Sequence, residues 1–175
     1  MNFPVSVTGE YTKKNILEMQ KSIHRRTRRR FRLLSLAGAA MFLLGSVLLG
    51  IIEGVGALVF AGLLWFILCN IFANQQARKT ARKTVKRNMT NYGCTVQTTI
   101  KFYNTMFTAK NETTGAEVRA QYTDVTRLVG TKNLIVLVLE DGRAMMAERA
   151  SVDPAIAAEL WEYLRENCSD ATVLV

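Results

Sequence analysis

The side chains that could do chemistry in this 175-residue chain are few and far apart. His24 is the single histidine, and it stands in an arginine run, remote in sequence from the serines and cysteines that could serve as its nucleophile. Cys69, Cys94 and Cys168 have none of the short spacings that zinc or iron–sulfur ligation requires. Acidic residues gather at Glu140-Asp141, at Asp153 and at Glu159, Glu162 and Glu166. The first pair reads as a hairpin tip and the last three as the solvated side of a helix, neither arranged for acid–base work. Nucleophilic catalysis needs a nucleophile, a base and a group that orients them. The set that would argue for an enzyme is Cys94 or Cys168 in one pocket with Asp124 or Glu148, and these are expected to be scattered. There is no Gly-x-Ser-x-Gly, no phosphate-binding glycine loop and no dinucleotide fingerprint. The expectation is therefore no catalytic residue, no cofactor and no metal.

Charge patterning is the stronger signal. Residues 1–91 carry 15 basic and 3 acidic side chains, residues 92–175 carry 8 and 11, so the net +9 belongs to the first half. The cations flank residues 33–73, in which Glu53 is the single charged side chain. Before that stretch stand Lys21, Arg25, Arg26, Arg28, Arg29, Arg30 and Arg32; after it stand Arg78, Lys79, Arg82, Lys83, Lys86 and Arg87. One helix of that length would be roughly 60 Å long, twice the ~30 Å hydrocarbon core of a bilayer. The composition thus predicts a transmembrane helical hairpin, 33–52 and 55–73, turning at Glu53-Gly54. Basic flanks resist translocation, which places both termini in the cytoplasm. The arginines from Arg25 to Arg32 and the six stalk cations from Arg78 to Arg87 are expected to contact anionic lipid headgroups. A nucleic-acid reader would interleave aromatic side chains with its charges, whereas only Phe31 stands among these arginines, so DNA and RNA are excluded as partners. A cleavable signal peptide is excluded by the long leader and the second apolar stretch. Small residues at helix-packing intervals, Ser35 with Ala39, Ser46 with Gly50 and Ala57 with Ala61, fit packing within the hairpin or self-association.

Around that stretch the pattern supplies the remaining elements. Phe3, Val5 and Val7 alternate with polar residues up to Gly9, a short strand suited to the edge of a later sheet. Thr12 can cap a helix carrying Ile16, Met19 and Ile23, which is expected to run straight into the apolar stretch. Ala77, Ala81 and Val85 recur every fourth residue among the stalk cations. Four regions follow: 1–32 a strand and basic helix, 33–73 the hairpin, 74–91 a basic helical stalk, and 92–175 a β-rich cytoplasmic domain. In the last, Val96, Thr98, Ile100 and Phe102 begin a period of two, and further strands are predicted at 106–110, 117–122, 126–130, 134–140 and 143–148. Asp141-Gly142 suits a type I′ turn. Asp153 and Pro154 open a helix at 154–167 whose Ile156, Leu160, Trp161, Leu164 and Cys168 share a face. Consecutive antiparallel strands closed by one helix describe an α+β domain, a small antiparallel β barrel or sandwich of the pleckstrin-homology type with a C-terminal capping helix.

This order of parts resembles the YcxB-like family of bacterial membrane proteins. The local likeness lies in Tyr122-Thr123-Asp124-Val125-Thr126-Arg127-Leu128-Val129, in Leu134-Ile135-Val136-Leu137-Val138-Leu139, in Ala144-Met145-Met146-Ala147 and in the helix with Leu160 and Leu164. It is made of apolar positions and turns, so it implies an architecture and transfers no catalytic residue. The expected role is a binding or regulatory module anchored in the bacterial inner membrane as a multi-pass protein and acting through its cytoplasmic domain, with a protein partner or a homo-oligomer besides the lipids. The alternative is a small transport-related or pore-forming oligomeric subunit.

Overall fold

A computed structural model of the chain describes residues 3–48 and 55–174; the side chains of 26–28, 31, 42–43, 46–48, 55–60, 69–70 and 73–74 lie outside that description. The chain divides into two compact units, Met1–Ser22 with Ala81–Val175, and Ile23–Thr80.

The first unit holds two four-stranded sheets. One runs β1 (Val5–Glu10), β2 (Gln97–Phe102), β3 (Met106–Asn111), β4 (Glu117–Gln121), antiparallel throughout. The N-terminal strand therefore joins the sheet across ninety residues of sequence, with Val7 opposite Ile100. The other runs β7 (Ala144–Glu148), β6 (Leu134–Leu139), β5 (Val125–Gly130), β8 (Thr172–Leu174). Inward residues of both sheets meet in one core, among them Val7, Ile100, Phe102, Phe107, Leu128, Ile135, Leu137 and Ala147. Gly9 lies inside β1 rather than ending it, because a Cβ there would run into the Met146 carbonyl oxygen of β7. The two sheets come this close at one corner only where a residue has no side chain.

Helix α4 (Pro154–Asn167) closes the core. Asp153 caps it by accepting a hydrogen bond from the Ala155 N–H at 2.8 Å, and Pro154 takes the first turn, where its missing N–H costs nothing. Ala157, Leu160, Trp161 and Leu164 are buried and Cys168 is buried just beyond, whereas Ile156 is exposed. The buried stripe thus keeps four of the five expected positions and has Ala157 in place of Ile156.

Strand β6 is buried at all six positions. Ile135, Leu137 and Leu139 point into the core, so Leu134, Val136 and Val138 point the other way. Helix α1 (Lys13–Ile23) is fastened to the sheet on this second face: Glu18 reaches Thr131 and Asn133 in the turn before β6, and Asn15 reaches Glu148 at the end of β7. Ile16 and Met19 are buried on it. Each large apolar side chain so covered contributes roughly 1.5–3 kcal/mol. Thr12 caps α1, its hydroxyl accepting from the Asn15 N–H at 3.1 Å.

The second unit contains α2 (Arg25–Leu48) and the leading part of α3 (Val55–Tyr92). Its two helices touch at small residues, a Cβ on Gly62 falling 3.8 Å from the Ala39 Cβ. The expected turn at Glu53, and residues 49–54 with it, lie outside the described residues.

Four expectations are corrected here. Among the described residues no helix is long and apolar enough to cross a membrane. This overturns the transmembrane hairpin, the membrane and transmembrane description, and the multi-pass inner-membrane location. The physical reason is clearest in α2, whose first eight positions hold six arginines, Arg25, Arg26, Arg28, Arg29, Arg30 and Arg32, so that its leading two turns are cationic rather than apolar. Second, the fold is two four-stranded sheets with helices and is not purely antiparallel, since β8 pairs with β5 in parallel. Third, α1 stops at Ile23 and α2 starts at Arg25, so the N-terminal helix is not continuous with the apolar stretch. Fourth, the β6–β7 turn is not type I′. Gly142 has a φ of +81° but no described non-glycine residue has a positive φ. The Gly142 N–H donates to the Leu139 carbonyl, which makes Glu140-Asp141 a type I turn followed by a left-handed glycine.

Candidate functional site

The cations stand out on two helices. Arg25, Arg29, Arg30 and Arg32 are exposed on α2, where the side chains of Arg26 and Arg28 lie outside the described residues. Arg78, Lys79, Arg82, Lys83, Lys86 and Arg87 are all exposed on α3. The four-residue period explains the arrangement: Ala81 and Asn88 are buried and Ala77 and Val85 half-buried on one side, which turns the long basic side chains to the other. Neither α2 nor α3 contains an acidic residue. The second unit also leaves large apolar side chains open, including Leu34 at 70%, Met41 at 75% and Trp65 at 60% of their full exposure. A patch of this kind on a folded protein marks a contact surface.

The groups that could have formed an active centre each have a place in the fold. Cys94 is exposed, while Cys168 is buried and burial pushes its thiol up to about 11. Asp124 accepts from the Gln121 N–H at 2.8 Å and so closes the turn between β4 and β5. Glu148 accepts from the Glu10 N–H at 2.8 Å and from the Asn15 amide at 2.7 Å. His24 is exposed. Among the described residues no three His, Cys, Asp or Glu side chains are placed to hold a metal ion.

Two tyrosine hydroxyls are likewise engaged in structure. Tyr122 donates to the Tyr103 carbonyl at 2.6 Å and Tyr163 to the Asn104 carbonyl at 2.5 Å. Their rings meet edge to face, 5.8 Å apart, and Phe3 packs 4.8 Å from Tyr163. Burial raises both phenols above the ordinary tyrosine value, with Tyr163 and Cys168 adding to the effect on Tyr122. This cluster ties the loop after β2 to α4 and offers no group ready to react.

Two features of the β-rich unit escaped the sequence reading. The carboxylates of Glu18 and Glu148 act as clips for α1, and nothing in the spacing of acidic residues marks them out. Strand β8 follows α4 through a turn in which the Ala171 N–H donates to the Cys168 carbonyl at 3.0 Å. Its Thr-Val-Leu run of extended-chain formers was the signal that could have found it. No protein-family model matches the chain, and no curated protein matches it.

Proposed function

We propose that the chain is a binding protein rather than an enzyme, with the cations of α2 and α3 contacting anionic lipid headgroups while the β-rich unit supplies a surface for a protein partner. The observation that carries this reading is the set of exposed cations on two helices that contain no acidic residue and that also carry exposed apolar side chains. Contact with one face of a lipid layer needs no crossing: basic side chains meet headgroups and neighbouring apolar ones enter the boundary beneath. Each Lys or Arg near such a surface contributes about 1 kcal/mol. The use of Asp124 and Glu148 in structural hydrogen bonds and the burial of Cys168 support a non-catalytic role, and the resemblance to the YcxB-like family agrees with a binding module.

The test is co-sedimentation of the purified chain with vesicles of phosphatidylglycerol and phosphatidylcholine, compared with phosphatidylcholine alone, at low and high salt. Binding to the anionic vesicles that weakens with salt, and that falls when Arg82, Lys83, Lys86 and Arg87 are replaced by alanine, is expected. Equal binding to neutral vesicles, or none to either, would refute the headgroup reading.

A further inference from the structure

Four cations in the part of α3 that belongs to the first unit form a compact patch. Arg82, Lys83, Lys86 and Arg87 stand at positions i, i+1, i+4 and i+5 of the helix, and all four are exposed. At about 100° per residue they span roughly 140° of the helix surface. Arg82 lies one turn from Lys86 and Lys83 one turn from Arg87, which makes two rows of two, with roughly 5–6 Å between Cβ atoms along each row. The opposite side of the helix is the packed one. Ala81 is 1% and Asn88 8% exposed, and these two positions lie within about 20° of each other and about 180° from the middle of the patch. Their burial fixes the rotation of the helix, so the four cations are presented together to the outside. Among the described residues no carboxylate forms an ion pair with any of them. Like charges one turn apart repel, and the patch is therefore complementary to an anion that brings more than one negative charge to the same place.

We infer that the patch of Arg82, Lys83, Lys86 and Arg87 selects lipid headgroups that carry two phosphates on one molecule, as in diphosphatidylglycerol, over headgroups that carry one. This rests on reading the cations of α3 as headgroup contacts, and it names the lipid class. Each row holds one arginine and one lysine: Arg82 with Lys86, and Arg87 with Lys83. The arginine of a row can meet a phosphate through two parallel N–H donors, while the lysine adds a point charge beside it. One phosphodiester therefore satisfies one row and leaves the other without a counter-charge. Where two phosphates are joined through a single glycerol, docking of the first on one row holds the second beside the other, and the second contact becomes intramolecular. Separate one-phosphate lipids must each be drawn out of the surrounding lipid to reach the same neutralisation, which costs their freedom to mix.

The experiment uses the full chain and phosphatidylcholine vesicles of equal total negative charge, supplied either by diphosphatidylglycerol or by twice its mole fraction of phosphatidylglycerol. The expected result is a partition coefficient, read by co-sedimentation, about tenfold or more in favour of diphosphatidylglycerol. Arg82→Ala with Lys86→Ala removes one row and should abolish the preference, leaving equal, weaker binding to both vesicles. Lys101→Ala with Lys132→Ala removes the same charge at two exposed positions outside α3 and should keep the preference. Equal binding of the wild type to the two vesicles overturns the inference, and this arm needs no variant to fold. A preference that survives loss of the row with native melting retained overturns the assignment to this patch, as does a preference that the Lys101 and Lys132 variant also loses. The arms separate the two readings: salt-sensitive binding that is equal on both anionic vesicles and absent on phosphatidylcholine alone sinks the two-phosphate selection and leaves the headgroup reading standing, whereas no binding to either anionic vesicle sinks both.

Discussion

The Trp161 indole lies directly on Gly130: a Cβ built on that glycine would fall 2.8 Å from the ring's Cη2 and 2.9 Å from its Cζ2. Helix α4 reaches β5 at this point because the strand has no side chain there, and Arg149 covers the ring with its guanidinium carbon 5.3 Å from the centroid. Gly130→Ala therefore overpacks the contact and should destabilise the β-rich unit by about 1–3 kcal/mol. Adding Trp161→Phe should recover part of that loss, a coupling that urea unfolding of the two single variants and the double variant would measure. Strictly additive losses would show that the indole yields without strain.

Asn15 is 9% exposed, and its amide nitrogen donates both to the Glu10 carbonyl at 2.9 Å and to the Glu148 carboxylate at 2.7 Å. Asn15→Ala removes both bonds and leaves Glu148 with one donor fewer, for an expected loss of about 1–3 kcal/mol. Amides of β6 beneath α1 should lose hydrogen-exchange protection in this variant more than those of β2 and β3. Uniform loss across both sheets would mean that Asn15 does not act by holding α1.

Burial pushes the Glu18 carboxyl up, but hydrogen bonds from Thr131 and from the side chain and backbone of Asn133, with Lys14 nearby, outweigh it and hold the group below its usual 4.5. A folded-state value below the unfolded one stabilises the protein above the unfolded value, and that stability disappears as pH falls through the folded one. The urea midpoint should therefore drop as the solution is acidified below about 4.5, and Glu18→Gln should flatten that part of the profile. An unchanged acid limb in the variant would assign the pH dependence to other carboxylates.

For Cys168 the sign is opposite. Burial raises its thiol from 9.0 to about 11, so its contribution is complete below pH 9 and is lost as pH climbs through the folded value. At pH 8 roughly one such thiol in a thousand is ionised. In a Cys69→Ser background, a thiol reagent should modify the exposed Cys94 promptly and Cys168 only on unfolding. Prompt modification of both would contradict the burial of Cys168.

Much of the β-rich unit was legible because local chemistry and tertiary environment agree there. Asp153 and Pro154 spell a helix start, the alternation from Val96 to Phe102 spells a half-buried strand, and Leu134 to Leu139 is apolar throughout because β6 is covered on both faces. The clips made by Glu18 and Glu148 were not legible, since a carboxylate at a helix surface looks the same whether its partner is water or a turn more than a hundred residues away. The cationic surface was readable as a composition, but which side of α3 carries it follows from the burial of Ala81 and Asn88.

What the sequence determined by itself is short-range: where chain segments are helical or extended, where caps and glycine turns fall, and that positive charge is concentrated before residue 92. These follow from backbone sterics, hydrogen bonds a few residues apart and the spacing of apolar side chains. The tertiary structure decided which strands pair, that β1 joins β2 and crosses β7 at Gly9, that Trp161 sits on Gly130, and that β8 lies parallel to β5. Each of these depends on contacts between residues distant in sequence, and no local pattern encodes them.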